Sequence, residues 1–236
     1  MYRPQSTALI SMVTLIAVSL IGCSSAPEES LIGNYFRASR MRDNTTLANI
    51  AMVSFRPSER GIVQDFSLTS VSEEQRRPMR AHEYSIALEE ISTAEREFGG
   101  RKQAYQDENL EAIERVLEAE REDSDVARGD LEVQEAWVTW REEMLQYAQT
   151  VSDARILLAE ERVVGEASTF NPSESIDITQ YEGEIASKEA VIVASVQSPD
   201  DQTEELTLTL TLERAELTTA DGSPLTGRWI ITKIDG

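Results

Sequence analysis

The chain has 236 residues, of which 40% are hydrophobic and 6% aromatic, enough to bury the core of one sizeable domain or two small ones. Forty-three acidic residues against 22 basic ones give a net charge of −21, which disfavours sequence-independent binding to nucleic-acid phosphates. The single cysteine excludes an internal disulfide and any metal site that needs several thiolates.

The first 22 residues predict an export signal. Arg3 supplies a weak positive charge, and an uncharged, mostly apolar run of 14 residues extends from Ala8 to Ile21. A helix of that length would measure about 21 Å, whereas the hydrocarbon core of a bilayer is ~30 Å thick. A cleaved signal is therefore the stronger interpretation, and a permanent transmembrane helix is the weaker one.

The sequence Leu20-Ile21-Gly22-Cys23 at the end of this run resembles the lipobox of bacterial lipoproteins. The resemblance implies that Cys23 is lipidated, that residues 23–30 form the lipidated residue and a flexible tether, and that the membrane is a partner through the lipid. The implied location is the cell envelope, and it is the outer membrane, facing the periplasm, if the organism has two membranes. The alternative is a chance thiol at the end of an ordinary signal peptide.

Charge divides the remaining chain into three segments. Residues 24–81 hold eight arginines and seven acids, residues 82–162 hold 22 acids and nine bases, and residues 163–236 hold 14 acids and four bases. The same boundaries separate three kinds of hydrophobic pattern, so we expect them to be structural boundaries.

The first segment predicts helix and then strand. Apolar faces favour helix from Leu31 to Phe55, with a turn or a new N-cap at 44–46. Partial alternation predicts a strand from Ile62 to Val71. Residues 72–78 are expected to form a polar loop, in which the Arg76-Arg77 pair is a solvated feature or, less favourably, contacts a partner.

The middle segment is the most regular. Met79–Phe98 and Tyr105–Glu122 each place apolar residues on one helical face, and Gly99-Gly100 between them either breaks or kinks the helix. Leu131–Arg162 carries apolar or small residues at the 3.5-residue spacing of a coiled-coil seam, and Asp130 can cap its start. The seam comprises Val133, Trp137, Trp140, Met144, Tyr147, Val151, Ala154 and Leu158. Its aromatic residues favour core packing over a binding stripe, and we expect two or three antiparallel helices.

The last segment predicts an antiparallel meander. Its strands are expected at Ser175–Ile185, Ala190–Gln197, Glu205–Leu217 and Gly227–Ile234. In the third strand, leucines at 206, 208, 210 and 212 alternate with threonines, so one face must meet a core. Residues 191–194 have no polar side and suit a central strand.

This order of elements resembles the cone-shaped fold of the nuclear transport factor 2-like and ketosteroid-isomerase-like proteins. Residues 34–43 with Leu47-Ala48 are similar to the first helices of bacterial members, and Gly227–Ile231 is similar to their last strand. The resemblance implies an α+β fold in which N-terminal helices pack on a curved antiparallel sheet. Residues 31–81 and 163–236 would form the cone, and residues 82–162 an inserted helical hairpin or coiled-coil arm.

Few residues carry recognisable chemistry. His82-Glu83 begins like a zinc-protease helix but lacks the second histidine, so His82 is expected to be ordinary exposed surface. Asp123, Asp125 and Asp130 hint at a calcium loop whose remaining ligand positions are unsuitable. The sequence predicts lipidation at Cys23 and no catalytic, cofactor-binding or metal-binding residue, and therefore no cofactor.

Two functions follow from these patterns. The first is a lipid-anchored, non-enzymatic envelope protein whose acidic arm, residues 82–162, binds a protein partner or a second copy, without nucleic acid. The second is a small-molecule-binding or isomerase/hydrolase-like protein that uses the cavity of the cone, and it rests on analogy of fold. A weaker third possibility treats the arm as a low-affinity cation sink.

Overall fold

The protein is described by a computed structural model that covers residues 26–219 and 221–236. Over this range the fold is α+β, and its antiparallel sheet curls into a half-barrel. The described strands are β1 (Ile62–Val71), β2 (Gln75–Met79), β3 (Glu182–Gln197), β4 (Thr203–Thr218), β5 (Pro224–Thr226) and β6 (Ile230–Asp235). The helices comprise α1 (Pro27–Met41), α2 (Asn44–Ile50), α3 (Pro57–Arg60), α4 (Ala81–Glu108), α5 (Leu110–Arg121) and α6 (Leu131–Thr169).

Two long strands form the centre of the sheet. β3 and β4, with 16 residues each, pair along their whole length in one unbroken register. β1 and β2 follow one another along the outer edge of β3, and β5 and β6 do the same along β4. The predicted strand from Ile62 to Val71 and the central position of residues 191–194 are both confirmed.

The β3–β4 ribbon buries opposite faces at its two ends. On β4, Leu208, Leu210 and Leu212 are fully buried at one end, whereas Ala215 and Leu217 are buried at the other. Since side chains alternate between the faces of a strand, this change from even to odd numbers moves the core to the other face. β3 changes in the same way, between Ile185 and Ala190.

Each of these two cores has its own helices. The first, here called the α1 core, packs α1 and α2 against the sheet and contains Ile32, Tyr35, Phe36, Phe55, Val63, Ala190, Ile192, Ala194, Val196, Leu208, Leu210, Leu212 and Ile231. The second, the arm-base core, packs the start of α4 and the end of α6 and contains Met79, Ala81, Leu158, Val164, Ile178, Ile185, Ala215, Leu217 and Ile230. The even-numbered leucines of β4 therefore face a core, as predicted.

The middle segment forms an antiparallel pair of helices. Phe98 of α4 lies against Trp140 and Tyr147 of α6, at centroid distances of 5.0 and 4.9 Å, while Arg77, just before α4, reaches Glu161 near the far end of α6. Later residues of α4 therefore meet earlier residues of α6. At 39 residues α6 is about 58 Å long, and it passes the predicted boundary at residues 162–163 without interruption.

Several predicted boundaries differ from the structure. The tether was expected to continue to residue 30, but α1 begins at Pro27, because proline suits the first helical position and Glu28 and Glu29 follow in the first turn. The new N-cap predicted at 44–46 lies one residue earlier, at Asp43, whose carboxylate accepts a hydrogen bond from the backbone N of Thr46 at 3.1 Å. The helix predicted to reach Phe55 ends at Ile50.

The glycine pair does not interrupt α4. The helix continues through Gly99-Gly100 and ends at Glu108, and Asn109 separates it from α5, which begins at Leu110. Each glycine costs about 1 kcal/mol of helix propensity, which packing of the flanking Phe98 and Tyr105 against α6 offsets.

Two strand predictions were also wrong. The predicted loop at 72–78 contains β2, which pairs with β3 on one side only, so Pro78 is tolerated at this edge. The separate strands predicted at Ser175–Ile185 and Ala190–Gln197 are replaced by the single strand β3, which a 3₁₀ turn (Ile178–Gln180) precedes.

Candidate functional site

Cys23, the predicted lipidation residue, lies outside the described residues, so its modification stays a prediction. Among residues 26–219 and 221–236, no helix is both long enough and apolar enough to cross a membrane.

Asp130, the acid that suggested both a calcium loop and a helix cap, is bound to an arginine. Its carboxylate accepts two hydrogen bonds from the Arg115 guanidinium, at 2.9 Å from Nε and 2.7 Å from Nη2. These bonds hold the pKa of Asp130 below its usual range. The predicted cap is absent, because the side chain makes no capping hydrogen bond to α6. In the described part of the chain, no three His, Cys, Asp or Glu residues are grouped as a metal site.

An open cleft of about 870 Å³ lies between α4, the end of α6 and the segment 170–179. Its charged side chains have partners within the protein. Arg162 donates from Nε to Glu166 at 2.7 Å, and Asp177 accepts hydrogen bonds from the backbone and hydroxyl of Thr179, which keep its pKa low. Beside it, His82 was expected to be exposed, but its Nδ1 lies 2.7 Å from the carbonyl oxygen of Thr179 and the ring is half-buried.

The space between α1 and the sheet is filled by side chains. Ile32, Tyr35, Phe36 and Phe55 are each at most 5% exposed there. The Tyr35 hydroxyl accepts a hydrogen bond from the backbone N of Phe55 at 2.6 Å and donates one to the carbonyl oxygen of Val53 at 3.1 Å. Burial raises the pKa of Tyr35, so the phenol stays neutral and holds the chain after α2 in place.

The predicted seam of α6 faces the rest of the arm. Phe98 is 1% exposed between two seam aromatics, Trp140 and Tyr147, and Tyr105 stacks on Trp140 at 5.8 Å. Lys102 lies over the ring of Trp137, 4.7 Å from its centroid. The prediction that the seam aromatics pack in a core is confirmed.

Hydrogen bonds to the sheet hold the end of α6. Between β5 and β6 the edge of the sheet is interrupted, and Ser168 of α6 enters the gap and accepts a hydrogen bond from the backbone N of Ala215 at 2.9 Å. Arg228 caps the helix by donating to the carbonyl oxygens of Ala167 and Phe170, at 3.1 and 3.0 Å. Gly227 was predicted to begin the last strand, but that strand begins at Ile230 because the backbone N of Arg228 donates to the carbonyl oxygen of Ser168 in the helix instead.

The Arg76-Arg77 pair is part of an ion-pair network at the same end of the sheet. Arg76 binds Glu74, Glu184 and Glu216, and these bonds lower the pKa of Glu216. Arg77 binds Glu161 of α6 at 2.7 Å. Both side chains are exposed at the surface, as expected, and each pairs there with acidic residues of neighbouring elements.

A second apolar face of α6, opposite the seam, lies at the surface. Exposed fractions there are 49% for Leu131, 71% for Leu145, 52% for Ile156, 42% for Val163 and 54% for Phe170, which directly follows the helix, and Val138 is half-buried. We call these six residues the far face. Their spacing of 7, 7, 11, 7 and 7 residues keeps them on one side of a helix. This spacing is visible in the sequence, but the prediction of a single seam did not include it.

The far face ends in an apolar groove beside α2. Ala48 and Asn49 of α2 form one wall, and Val163, Ala167 and Phe170 form most of the other, enclosing about 460 Å³. The exposed apolar surface of the arm is thus continuous with a concave surface on the body of the protein.

No family model matches the chain, and no curated protein or solved structure matches it at the significance threshold applied. The cone fold, the insertion and the lipobox therefore stay predictions from the sequence.

Proposed function

We propose that the chain is a lipid-anchored, non-enzymatic protein of the cell envelope whose helical arm, residues 82–162, docks a protein partner. The observation that carries the proposal is the position of the single cysteine, Cys23, directly after the apolar run from Ala8 to Ile21. Diacylglycerol and an amide-linked acyl chain on that residue, as the lipobox resemblance implies, would anchor the chain more firmly than one acyl chain can.

A short linker would then separate the lipid from the folded body. Helix α1 begins at Pro27, and its Glu28 is held by Lys188 of β3 at a position where both side chains are largely buried. Burial raises the pKa of Glu28, but the hydrogen bond to Lys188, a hydrogen bond to its own backbone and the charge of Lys188 together outweigh burial, and the pKa is lowered. The start of α1 is thus bonded to the sheet, which supports a body held close to the membrane.

The arrangement of the arm supports an insertion into a cone-like body of residues 31–81 and 163–236. Only the ends of the arm, near Tyr84 and Leu158, pack in the arm-base core. Its middle contributes Phe98, Ile113, Val116, Trp137 and Val151, which are buried and belong to neither core of the sheet. A unit that packs on itself and joins the body at its two ends is what an insertion requires.

The alternative function needs a cavity with a reactive carboxyl group. Large side chains fill the region between α1 and the sheet, and the phenol of Tyr35 is bonded to backbone groups there. The nearby groove lined by Phe36, Arg37, Arg40 and Phe66 measures about 160 Å³, below the ~300 Å³ of an ordinary small-molecule site. The larger open cleft of about 870 Å³ lies at the base of the arm, and its carboxyl groups, Glu166 and Asp177, are bonded to Arg162 and Thr179. These observations favour the docking function over catalysis.

The anchor is tested by expressing the full chain in a bacterium supplied with a radiolabelled fatty acid. The unsubstituted chain and the matched control Ser25→Ala should incorporate label and stay in the membrane fraction. Cys23→Ser should lose the label. Equal labelling of Cys23→Ser and the control would refute lipidation at this residue.

The docking role is tested in cells by placing a photo-crosslinking amino acid at Leu145 on the arm or, as the matched control, at exposed Thr207 on the sheet. We expect a discrete adduct from the arm position alone. Absence of adducts from Leu145 and from further exposed arm positions would contradict a docking arm, whatever the outcome of the labelling experiment.

A further inference from the structure

The far face of α6 is almost symmetrical about its own midpoint. Leu145 and Ile156 lie at equal distances on either side of the point between Thr150 and Val151, and Val138 and Val163 form a second such pair. Leu131 and Phe170 form a third. When the helix is turned end for end about that point, each apolar residue of the far face falls on the position of another.

We propose that the far face is a homodimer interface, in which α6 of one copy packs antiparallel on α6 of a second copy about a twofold axis at residues 150–151. A twofold interface requires a surface that is complementary to itself, because each residue meets its symmetry mate across the axis. The proposal rests on the docking role of the arm and specifies the partner.

The centre line of the far face carries no charge. Between the apolar residues this line carries the uncharged residues Gln134, Gln149, Ser152 and Ala167. The arm as a whole, residues 82–162, holds 22 acids and nine bases. An uncharged strip about 58 Å long on such a helix is typical of a surface that is covered by another helix. Acidic residues beside the strip, among them Glu142 and Glu160, disfavour contact with an anionic lipid surface.

The area reaches the lower limit of a specific interface. The five exposed members of the far face would remove roughly 900 Å² from water over two copies, and the uncharged side chains between them bring the total above the ~1,000 Å² expected of a specific interface. In this register Leu131 of one copy reaches Phe170 of the other, where the apolar groove beside α2 is open. The groove would receive the start of the second copy's α6.

The arrangement also predicts its own salt dependence. Glu142 and Glu160 are 18 residues apart, which is five helical turns, so both lie on the same side of the far face. In the antiparallel register each approaches the other residue of the second copy. Their repulsion weakens the dimer and is screened by salt, so high salt should favour the dimer.

The test is thiol crosslinking of the full chain in membranes with a short bifunctional reagent. Gln149→Cys, near the axis, should crosslink to its own copy, and Thr150→Cys, an exposed position at the same level but turned away from the far face, should not. Val138→Cys should fail alone, since its mate is about 38 Å away along the helix, and should succeed when co-expressed with Val163→Cys. Self-crosslinking of Val138→Cys as strong as that of Gln149→Cys would indicate a parallel pair and overturn the proposal.

Two further variants test the chemistry of the interface on the Gln149→Cys background. Leu145→Glu should reduce the crosslinked fraction about tenfold, because it places a charge in the contact, whereas Leu157→Glu, a neighbouring exposed apolar position off the far face, should not. Glu160→Lys should raise the crosslinked fraction and remove its increase with salt. Equal behaviour of the Leu145 and Leu157 variants would overturn the proposal.

The unsubstituted chain separates this inference from the proposed function. If Cys23 is lipidated, the chain offers no thiol and gives no crosslinked product. Crosslinking through Cys23 would argue against the anchor and leave the interface to be judged by the substituted positions. Adducts from Leu145 that contain only another protein, with no self-crosslinking of Gln149→Cys, would overturn the dimer and preserve the docking role.

Discussion

The sheet and the helical arm bury their apolar residues to very different degrees. On β4, Leu208, Leu210 and Leu212 are fully buried between the sheet and the N-terminal helices. On the arm, Leu145 is 71% exposed and Ile156 is 52% exposed, although they belong to a helix as regular as any in the molecule. The sheet covers its apolar surface within one chain, whereas the arm has two apolar faces and only one of them is covered.

The difference shows what each part can contribute. A surface that is closed within the chain adds stability, and a large apolar surface left open marks a contact with something else. Substitutions should therefore change the free energy of unfolding strongly in the sheet and weakly on the open side of the arm.

The largest expected effect comes from shortening a buried leucine of the sheet. Leu210→Ala should lower the free energy of unfolding by about 2–5 kcal/mol, because it leaves a cavity in the α1 core. Leu157→Ala on the arm, where the side chain is 48% exposed, should change it by no more than about 0.5 kcal/mol. Urea unfolding followed by far-ultraviolet circular dichroism measures both, and equal losses would remove the distinction between the two regions.

The next effect concerns the junction between the arm and the sheet. In Gly227→Ala the new Cβ would meet Ser168 Oγ and lie 3.1 Å from the carbonyl oxygen of Ala215. Backbone on both sides leaves little room to adjust, so a loss of about 1–3 kcal/mol is expected in the same unfolding experiment. A loss below 0.5 kcal/mol would mean that the helix end and the sheet edge are not held as closely as the structure shows.

Within the arm, a glycine substitution should have the opposite sign. Gly100 lies inside α4, and a Cβ there would meet nothing within 4 Å. Gly100→Ala should therefore stabilise the protein by about 0.5–1 kcal/mol, because alanine loses less backbone entropy in a helix. Gly227→Ala, which should lower the free energy of unfolding, is the control of opposite sign. Destabilisation by Gly100→Ala would show that α4 is bent or interrupted at the glycine pair.

The smallest effect is a pH dependence at the tip of the arm. Since bonds to Arg115 lower the pKa of Asp130 in the folded state, the pair stabilises α5 above the usual aspartate pKa of ~3.9 and loses that contribution as pH falls below it. The protection factors of the α5 amides, which are corrected for the intrinsic pH dependence of hydrogen exchange, should fall on acidification below that value. Asp130→Asn should exchange faster at neutral pH and show a weaker dependence on pH, and an unchanged profile would contradict this role.

Periodicity was informative wherever one face of an element is apolar. The alternation of Leu206 to Leu212 with threonines marked β4, and the 3.5-residue spacing in Leu131–Arg162 marked the covered seam of α6. In both cases the most regular local pattern identifies the side that packs within the chain, although α6 carries a second apolar face as well.

Edges and junctions could not be predicted in this way. β2 contains Arg76, Arg77 and Pro78, a sequence that resembles a loop until the acidic partners on β3, β4 and α6 are brought to it by the fold. The end of α6 is held by Arg228, whose partners lie 58 and 61 residues away. Contacts between residues so far apart in the chain produce no periodic pattern in the sequence.

The far face was missed for another reason. Its residues are present in the sequence at regular intervals, but a helix with one good seam gave no cause to seek a second. The exposed fractions of Leu131, Leu145 and Phe170 in the folded chain distinguish the two faces.

In the β3–β4 ribbon, one uninterrupted alternation of side chains between the two faces determines which residues enter the α1 core and which enter the arm-base core. The ribbon's pairing has no irregularity between Glu182 and Gln197, although the core changes sides along the way. Deleting one residue at Ser187 would keep one half of the ribbon in phase and turn the other half outward, since alternation reverses at each residue. The number of residues in β3 between the two cores is thus more constrained than their identity. Homologous chains should tolerate substitutions around Ser187 far more readily than an insertion or a deletion there.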